Sequence, residues 1–259
     1  MRTDFEPVSA RVNAKLNLGL QVVRRRPDGY HDLRTVFIPT CFYTDTIGIR
    51  PCSGDLLFHV EGAEDLGDAN DNLCVKAYRL LQRDFGISGV DIRLRKGIPT
   101  GAGLGGGSAD AAFTLKLLAG IFQLPVSAGK MAEYALELGS DVPFFLQNRP
   151  MYATGRGEVM TPIDLDLSSW RIGIVKPDIH VSTREAYAGI TPKEPEVFLP
   201  EVLKQDIGTW KDLVVNDFEE SVFARYPQLR EIKEDFYRNG ARYASMSGSG
   251  SAFFALYRK

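Results

Sequence analysis

From Lys96 to Ala112 the chain reads K-G-I-P-T-G-A-G-L-G-G-G-S-A-D-A-A, with five glycines among the seven residues from Gly101 to Gly107. Glycine has no Cβ and adopts positive φ freely, so successive N–H groups can turn toward one anion. An apolar-periodic segment opens at Ser108. A helix starting there would aim its unpaired N–H groups and its positive end at the same point. The chemistry this predicts is phosphate binding. The plainer alternative, a flexible Gly/Ser linker, fits poorly, because the run stands between a strand-like and a helix-like segment.

Two familiar phosphate patterns nearly fit. Gly101, Gly103 and Gly106 satisfy G-x-G-x-x-G, but Gly97-Ile98-Pro99-Thr100 separates them from the strand-like 90–95, and no acid stands about twenty residues on, around 121–126. G-x-x-x-x-G-K-[ST] also nearly fits from Gly101, except that Gly107 stands where the lysine should be. A triphosphate held here therefore needs its charge balanced by the helix end, a magnesium ion and a lysine from elsewhere.

Other residues are candidates by type alone. Lys15 shares one strand face with Asn13 and Asn17, which spacing alone reads as a solvent face. Asp141 lies between Gly139-Ser140 and Val142-Pro143, where it would cap a helix. Tyr30-His31 follows the turn signal Pro27-Asp28-Gly29, and reads as a half-buried aromatic beside a surface polar residue. Ser247-Gly248-Ser249-Gly250-Ser251 has the composition of a hairpin turn.

The elements that must position these residues follow from periodicity. From Val8 to Val22 apolar residues fall at every second position, with Ser9, Arg11, Asn13, Lys15, Asn17 and Gln21 on the other face, so a long half-buried strand is expected. Strands are also expected over 35–42, 46–50, 56–61, 90–95, 151–154, 158–163, 172–176, 241–246 and 252–257. Helical spacing covers 73–85, the segment after the glycine run, 128–138 with Ser127 as cap and Gly139 as stop, 182–188, and a long region over 210–238. Prolines at 192, 195 and 200 mark a loop. Mixed strands and helices in two groups, the second beginning past Met151, predict an α+β or two-layer sandwich design.

Bulk properties narrow the function. At 259 residues and 44% hydrophobic composition the chain can bury a large core. A formal charge of −2 gives no case for nucleic acid or membrane partners, and Arg24-Arg25-Arg26 reads as a solvated loop. Three dispersed cysteines and three dispersed histidines lack metal-site or disulfide spacing. With no basic leader and no apolar run of membrane-spanning length, a cytoplasmic chain is expected, as a monomer or weak homodimer.

The string P-T-G-A-G-L-G-G-G-S-A-D-A-A strongly resembles the phosphate motif of the GHMP kinase superfamily, which includes galactokinase, homoserine kinase and mevalonate kinase. A-K-L-N-L-G-L at 14–20, L-G-S-D-V-P-F-F-L at 138–146 and M-S-G-S-G-S-A-F-F at 246–254 extend the likeness over nearly the whole chain. P-D-G-Y-H at 27–31 points to the branch whose substrate is a cytidine diphosphate ester. The resemblance implies an α+β, two-domain chain: an N-terminal, ATP-binding domain over 1–154 like that of a small-subunit ribosomal protein, a ferredoxin-like C-terminal domain over 155–259, and an active site between them. It implies ATP and magnesium as the phosphoryl donor pair, although it leaves the magnesium ligands unassigned.

Residue by residue, the resemblance makes Lys15 and Asp141 catalytic, as a charge stabiliser and a base acting together. It assigns ATP to Pro99, Thr100, Gly101, Ala102, Gly103, Leu104, Gly105, Gly106, Gly107, Ser108 and Ala109, with Asn72 and Leu73 on the adenine side. Asn17 and Thr183 would contact substrate, Tyr30 and Tyr187 would wall a cytosine slot, and His31 would read the base edge. Two rivals remain at this point. Another small-molecule kinase of the homoserine or mevalonate type has no nucleobase for Tyr30-His31 to hold, and a non-catalytic nucleotide or sugar sensor has no need of both Lys15 and Asp141. Gly155-Arg156-Gly157-Glu158 is also family-like, with no chemistry attached.

Overall fold

A computed structural model describes residues 6–62 and 68–259. The chain gathers into two compact units, each discontinuous in sequence: 1–14, 43–98 and 105–147 in the first, and 15–42, 99–104 and 148–259 in the second. Two long strands, β1 (Val8–Arg25) and β2 (His31–Pro51), pair with each other and contribute residues to both. β1 is buried from Val12 through Val22 on both faces, so the half-buried strand expected from its alternation is corrected. Asn13, Lys15 and Asn17 are 6%, 3% and 2% exposed. A polar row this deep needs hydrogen-bond partners to offset its removal from bulk water.

The first unit is built around a βαβ turn of chain. β3 (Leu57–Glu61) leads through α1 (Leu73–Phe85) to β4 (Val90–Arg95), and β3 and β4 pair in parallel. Parallel neighbours need such a crossover, and α1 buries Cys74, Val75, Ala77, Tyr78, Leu80 and Leu81 on one stripe. β4 pairs antiparallel with residues 46–51 of β2. Sequence divided β2 into 35–42 and 46–50, yet one strand runs through Asp45. Asp is a poor strand former, but this carboxylate is fully buried and accepts from the N–H groups of Gly97 and Ile98 at 2.6 and 2.7 Å. Three helices complete the unit: α2 (Gly106–Ile121), α3 (Ala128–Leu138) and α4 (Val142–Gln147). α2 packs against both α1 and α4, and α3 is capped by Ser127 and stops at Gly139 as expected.

In the second unit, residues 35–37 of β2 pair with β5 (Met151–Thr154), which turns back into β6 (Val159–Pro162). A separate antiparallel sheet has the order β7 (Trp170–Val175), β9 (Phe253–Arg258), β8 (Tyr243–Met246). Its helices are α5 (Thr183–Ala188), α6 (Leu199–Val202), α7 (Trp210–Leu213), α8 (Phe218–Arg225) and α9 (Pro227–Arg238). Leu20, Val22, Val181, Phe218, Val222 and Phe253 belong to one buried cluster that ties these pieces together.

The single helical region expected over 210–238 is three helices. Residues 214–217 leave the helix to bridge β1, with Leu20 N–H on the Val215 carbonyl and Asp217 N–H on the Leu20 carbonyl. Asn216 then restarts the chain by accepting from Phe218 N–H at 3.0 Å. The second break is covalent: Pro227 cannot continue a helix from its predecessor but suits a first turn, where it opens α9.

Candidate active site

Gly101, Gly103 and Gly105 have φ of 64°, 75° and 72°, while Ala102 and Leu104 between them keep negative φ. An alternating sign of φ can turn neighbouring N–H groups to one side of the chain, as an anion-binding nest requires. The side chains fix it in place, since Ala102 and Leu104 are each 1% exposed and anchor the loop in apolar packing. α2 starts at Gly106, two residues before the expected Ser108, with Gly105 as a cap that has no side chain. Its first helical bond runs from Ala109 N–H to the Gly105 carbonyl. The N–H groups of Gly106, Gly107 and Ser108 therefore precede the helical ladder and are suited to an anion.

The glycines differ in why they must be glycine. A Cβ on Gly103 would lie 2.0 Å from the Ser247 carbonyl oxygen, and one on Gly101 3.2 Å from Cε1 of His180. Gly106 has an ordinary φ, and its constraint is the Ile98 side chain, 3.0 Å from a Cβ there. Leu73 approaches the start of α2 most gently, with Cδ1 3.9 Å from the Cβ position at Gly107. Asn72 is the cap of α1, its side chain accepting from Cys74 N–H at 2.9 Å. Pro99 is half-buried and Thr100 is exposed, just ahead of the nest.

Lys15 is wired to this loop through side chains of the second unit. Its Nζ donates to Oδ1 of Asn17 at 2.5 Å and stands 5.1 Å from the centre of the Phe37 ring. Asn17 donates from Nδ2 to the Thr35 hydroxyl, which donates in turn to the Gly19 carbonyl. The Asn17 backbone N–H donates to the Ser247 hydroxyl at 3.3 Å, and that hydroxyl donates to the Gly103 carbonyl at 3.0 Å. Lys15 N–H also donates to the Leu104 carbonyl. The S-G-S-G-S turn thus packs on the glycine run. Asp141 belongs to the first unit, half-buried immediately ahead of α4.

At the β1–β2 turn, Asp28 accepts from Tyr30 N–H at 3.1 Å, and two of the three arginines are paired locally. Arg24 and Arg26 pair with Asp32, and Arg26 pairs with Asp28. Tyr30 is 56% exposed, with the Arg156 guanidinium 4.6 Å from its ring centre. The structure brings His31 and Tyr187 together, stacked at 4.6 Å and 19°. Tyr187 also meets Phe218 edge-on, on α5, whose capping box uses Ser182 and Glu185. Burial, with Arg25 adding to it, holds the His31 pKa below the usual histidine range, so its ring is neutral near pH 7. A neutral imidazole offers one donor and one acceptor. Thr183 shares a 3.3 Å hydroxyl contact with Ser249 of the S-G-S-G-S turn.

Sequence reasoning missed one constellation beside the loop. Lys96 Nζ is held between Asp45 and Asp110 at 2.5 and 2.6 Å, all three side chains buried. Burial pushes the Asp110 carboxyl up to about 7 against the attraction of Lys96, and Asp45 pushes the same way. Its Oδ1 has no hydrogen-bond partner. The signal was present, since Lys96 and Asp110 bracket the glycine run. Asp45, far upstream in a strand, was invisible without the fold.

Comparison with known proteins follows the same lines. Residues 72–149 match the family described as GHMP kinases N terminal domain, and 198–259 match GHMP kinases C terminal. The chain is 50% identical over 248 residues to the 4-diphosphocytidyl-2-C-methyl-D-erythritol kinase of Bacteroides thetaiotaomicron, covering 95% of this chain and 90% of that one. The protein of the same name from Cytophaga hutchinsonii is 44% identical over 246 residues, with the same coverage. Among solved structures, a 4-(cytidine 5'-diphospho)-2C-methyl-D-erythritol kinase superposes with a TM-score of 0.83 at 35% identity, over 96% of this chain and 90% of that one. The mevalonate kinase of Methanococcus jannaschii, at 17% identity and a TM-score of 0.73 over 99% of this chain and 92% of that one, shares the fold alone.

Proposed function

The chain belongs to the GHMP kinase family, and on that premise we propose that it transfers the γ-phosphoryl group of ATP to the 2-hydroxyl of 4-diphosphocytidyl-2-C-methyl-D-erythritol. The observation that carries the reading is the buried Lys15, joined through Asn17 and Ser247 to the carbonyl of Gly103 in the glycine nest. A lysine absent from the loop's own sequence is supplied by β1 and keyed to the loop's backbone.

In the transfer, the bond between the γ-phosphorus and the β,γ-bridging oxygen breaks as a bond to the substrate 2-oxygen forms, and ADP leaves. The transition state is loose, with charge spread over the moving phosphoryl oxygens, so positioning and positive charge do most of the catalysis. Residues 99–109 hold the triphosphate through backbone N–H groups, with Asn72 and Leu73 on the adenine side. Lys15 offsets charge on the γ-phosphoryl group. Asp141 orients the 2-hydroxyl and takes its proton late, because a carboxylate is too weak a base to remove it beforehand. Asn17 and Thr183 contact the substrate, while Tyr30, His31 and Tyr187 hold the cytosine.

Magnesium completes the donor in this reading. Among the described residues no group of three His, Cys, Asp or Glu side chains could hold a metal. That fits an ion carried on the triphosphate, since magnesium keeps several waters and takes one or two carboxylates beside phosphate oxygens. Bound with ATP, the ion would supply positive charge to offset that of the triphosphate.

No described helix is long and apolar enough to cross a membrane. Cys41, Cys52 and Cys74 are free thiols, which supports placing the enzyme in a reducing cytoplasm; a monomer or weak homodimer completes the proposal. The test is ADP release with the cytidyl ester, homoserine and mevalonate as acceptors. Turnover with the cytidyl ester alone is expected, and turnover with homoserine or mevalonate in its place would overturn the assignment.

A further inference from the structure

The segment Gly155-Arg156-Gly157-Glu158 forms the turn between β5 and β6, and its glutamate holds its arginine. Gly155 and Gly157 sit at φ of 68° and 107°, a region that L side chains rarely enter. A Cβ on Gly155 would fall 2.7 Å from Oε2 of Glu158. The Glu158 carboxylate accepts from Arg156 N–H at 2.5 Å and lies 3.9 Å from its Nε. Leu33 N–H donates to the Gly155 carbonyl at 2.6 Å, which ties the turn to β2 three residues beyond Tyr30. The outcome of this construction is the Arg156 guanidinium lying 4.6 Å from the centre of the Tyr30 ring.

Tyr30 is more than half exposed, which is unusual for a ring held in place. Packing into the core cannot fix its rotamer. A cation over one face can, through the attraction between guanidinium and the ring quadrupole. The arrangement leaves an aromatic ring that is fixed but uncovered.

We propose that Arg156 is a positioning residue for the nucleobase subsite: it backs Tyr30 and presents the ring's remaining surface to the pyrimidine of a cytidine diphosphate ester. The inference rests on the substrate reading above and adds to it a residue and a role. Preorganising one aromatic platform lowers the ordering cost of binding, so its effect belongs in KM for the acceptor. The phosphoryl transfer itself is untouched by it.

The experiment measures kcat and KM for the cytidyl ester, KM for ATP, and thermal midpoint, in Arg156→Ala, Arg156→Lys, Tyr30→Ala and the Tyr30/Arg156 double variant. Arg156→Ala should raise the ester KM by roughly 2- to 10-fold, the scale of ordering one flexible side chain, with kcat, the ATP KM and the midpoint unchanged. Arg156→Lys keeps the cation and should recover part of the loss. In the Tyr30→Ala background, removing Arg156 should cost nothing more. An equal cost in that background would mean a direct contact with the substrate phosphates and would overturn the positioning role, as would an unchanged KM in Arg156→Ala. A silent Tyr30→Ala would remove the base platform itself and the role built on it. A costly Tyr30→Ala beside a silent Arg156→Ala would leave the platform standing and sink only the inference.

Discussion

Gly103 and Ser247 approach so closely that no side chain fits on the glycine: a Cβ there would lie 2.0 Å from the Ser247 carbonyl oxygen, while the Ser247 hydroxyl donates to the Gly103 carbonyl. Residues 144 positions apart in sequence therefore share one piece of backbone geometry. The glycine loop of this kinase is shaped from outside as much as by its own glycines.

Gly103→Ala is accordingly the most damaging small substitution in the loop. It combines an L side chain at φ of 75° with a backbone clash that no rotamer relieves. ATP KM should rise and kcat fall by at least tenfold each, with the protein still folded by circular dichroism. Gly106→Val meets the flexible Ile98 side chain at an ordinary φ, so it should harm ATP use through crowding at the start of α2. If both variants keep wild-type ATP kinetics, the glycine nest does not hold the triphosphate.

Lys15→Met and Asp141→Asn test the chemistry itself. Each should lower kcat on the order of 10²- to 10⁴-fold with little change in either KM, the loss expected on removing a charge stabiliser or a positioned base. Groups that act on one transition state are not additive. The double variant should therefore be far better than the product of the two losses, and a fully multiplicative loss would show that the two act independently. Lys15→Met carries a second expectation from the structure. Asn17 Oδ1 loses its donor in a buried place, so some stability should be lost as well.

Much of this site was legible in sequence because local rules governed it. Ser127 and Gly139 bound α3 as their types require, α1 spans the segment its apolar spacing marks, and the glycine run takes positive φ at Gly101, Gly103 and Gly105 just ahead of a helix. What was not legible depended on long-range partners. Nothing local shows that the polar face of β1 is buried, because its satisfaction comes from Thr35 and Ser247. The unbroken β2 required the buried bonds of Asp45. The arrest of the helix at 214–217 required Leu20 of β1 as a competing partner. Strands that pass from one compact unit into the other leave no local mark either.

The Lys96 cluster yields a pH prediction. Two carboxylates share one ammonium group, and burial raises the Asp110 pKa from its ordinary 3.8 to about 7. An acid whose folded pKa is raised contributes stability below its unfolded pKa and loses it as pH rises through the folded value. Asp110→Asn removes that titration, while Lys96 keeps Asp45 as partner. The variant's thermal midpoint minus that of wild type should therefore increase from pH 6 to pH 8, by about 2–4 °C for each kcal/mol recovered. A difference that stays flat over that range would show that Asp110 does not titrate there.

Base selectivity is the sharpest test of the substrate side. Cytosine presents an amino donor at position 4 and an acceptor at N3, and uracil reverses both. A neutral His31, stacked on Tyr187 and so fixed in orientation, has its donor and acceptor committed before the base arrives. The uridine diphosphate ester would leave buried polar groups unpaired and should be used at least about 10²-fold less well. Tyr30→Ala should weaken ester binding by about 1–3 kcal/mol, the scale of base–aromatic stacking. Tyr187→Phe keeps the ring face that meets His31 and should be nearly silent, whereas Tyr187→Ala frees the imidazole and should erode discrimination as well as binding. The measurement is kcat/KM for both esters across these variants. Equal use of cytidine and uridine esters by wild type, with Tyr30→Ala unaffected, would leave a GHMP kinase whose acceptor carries no recognised base.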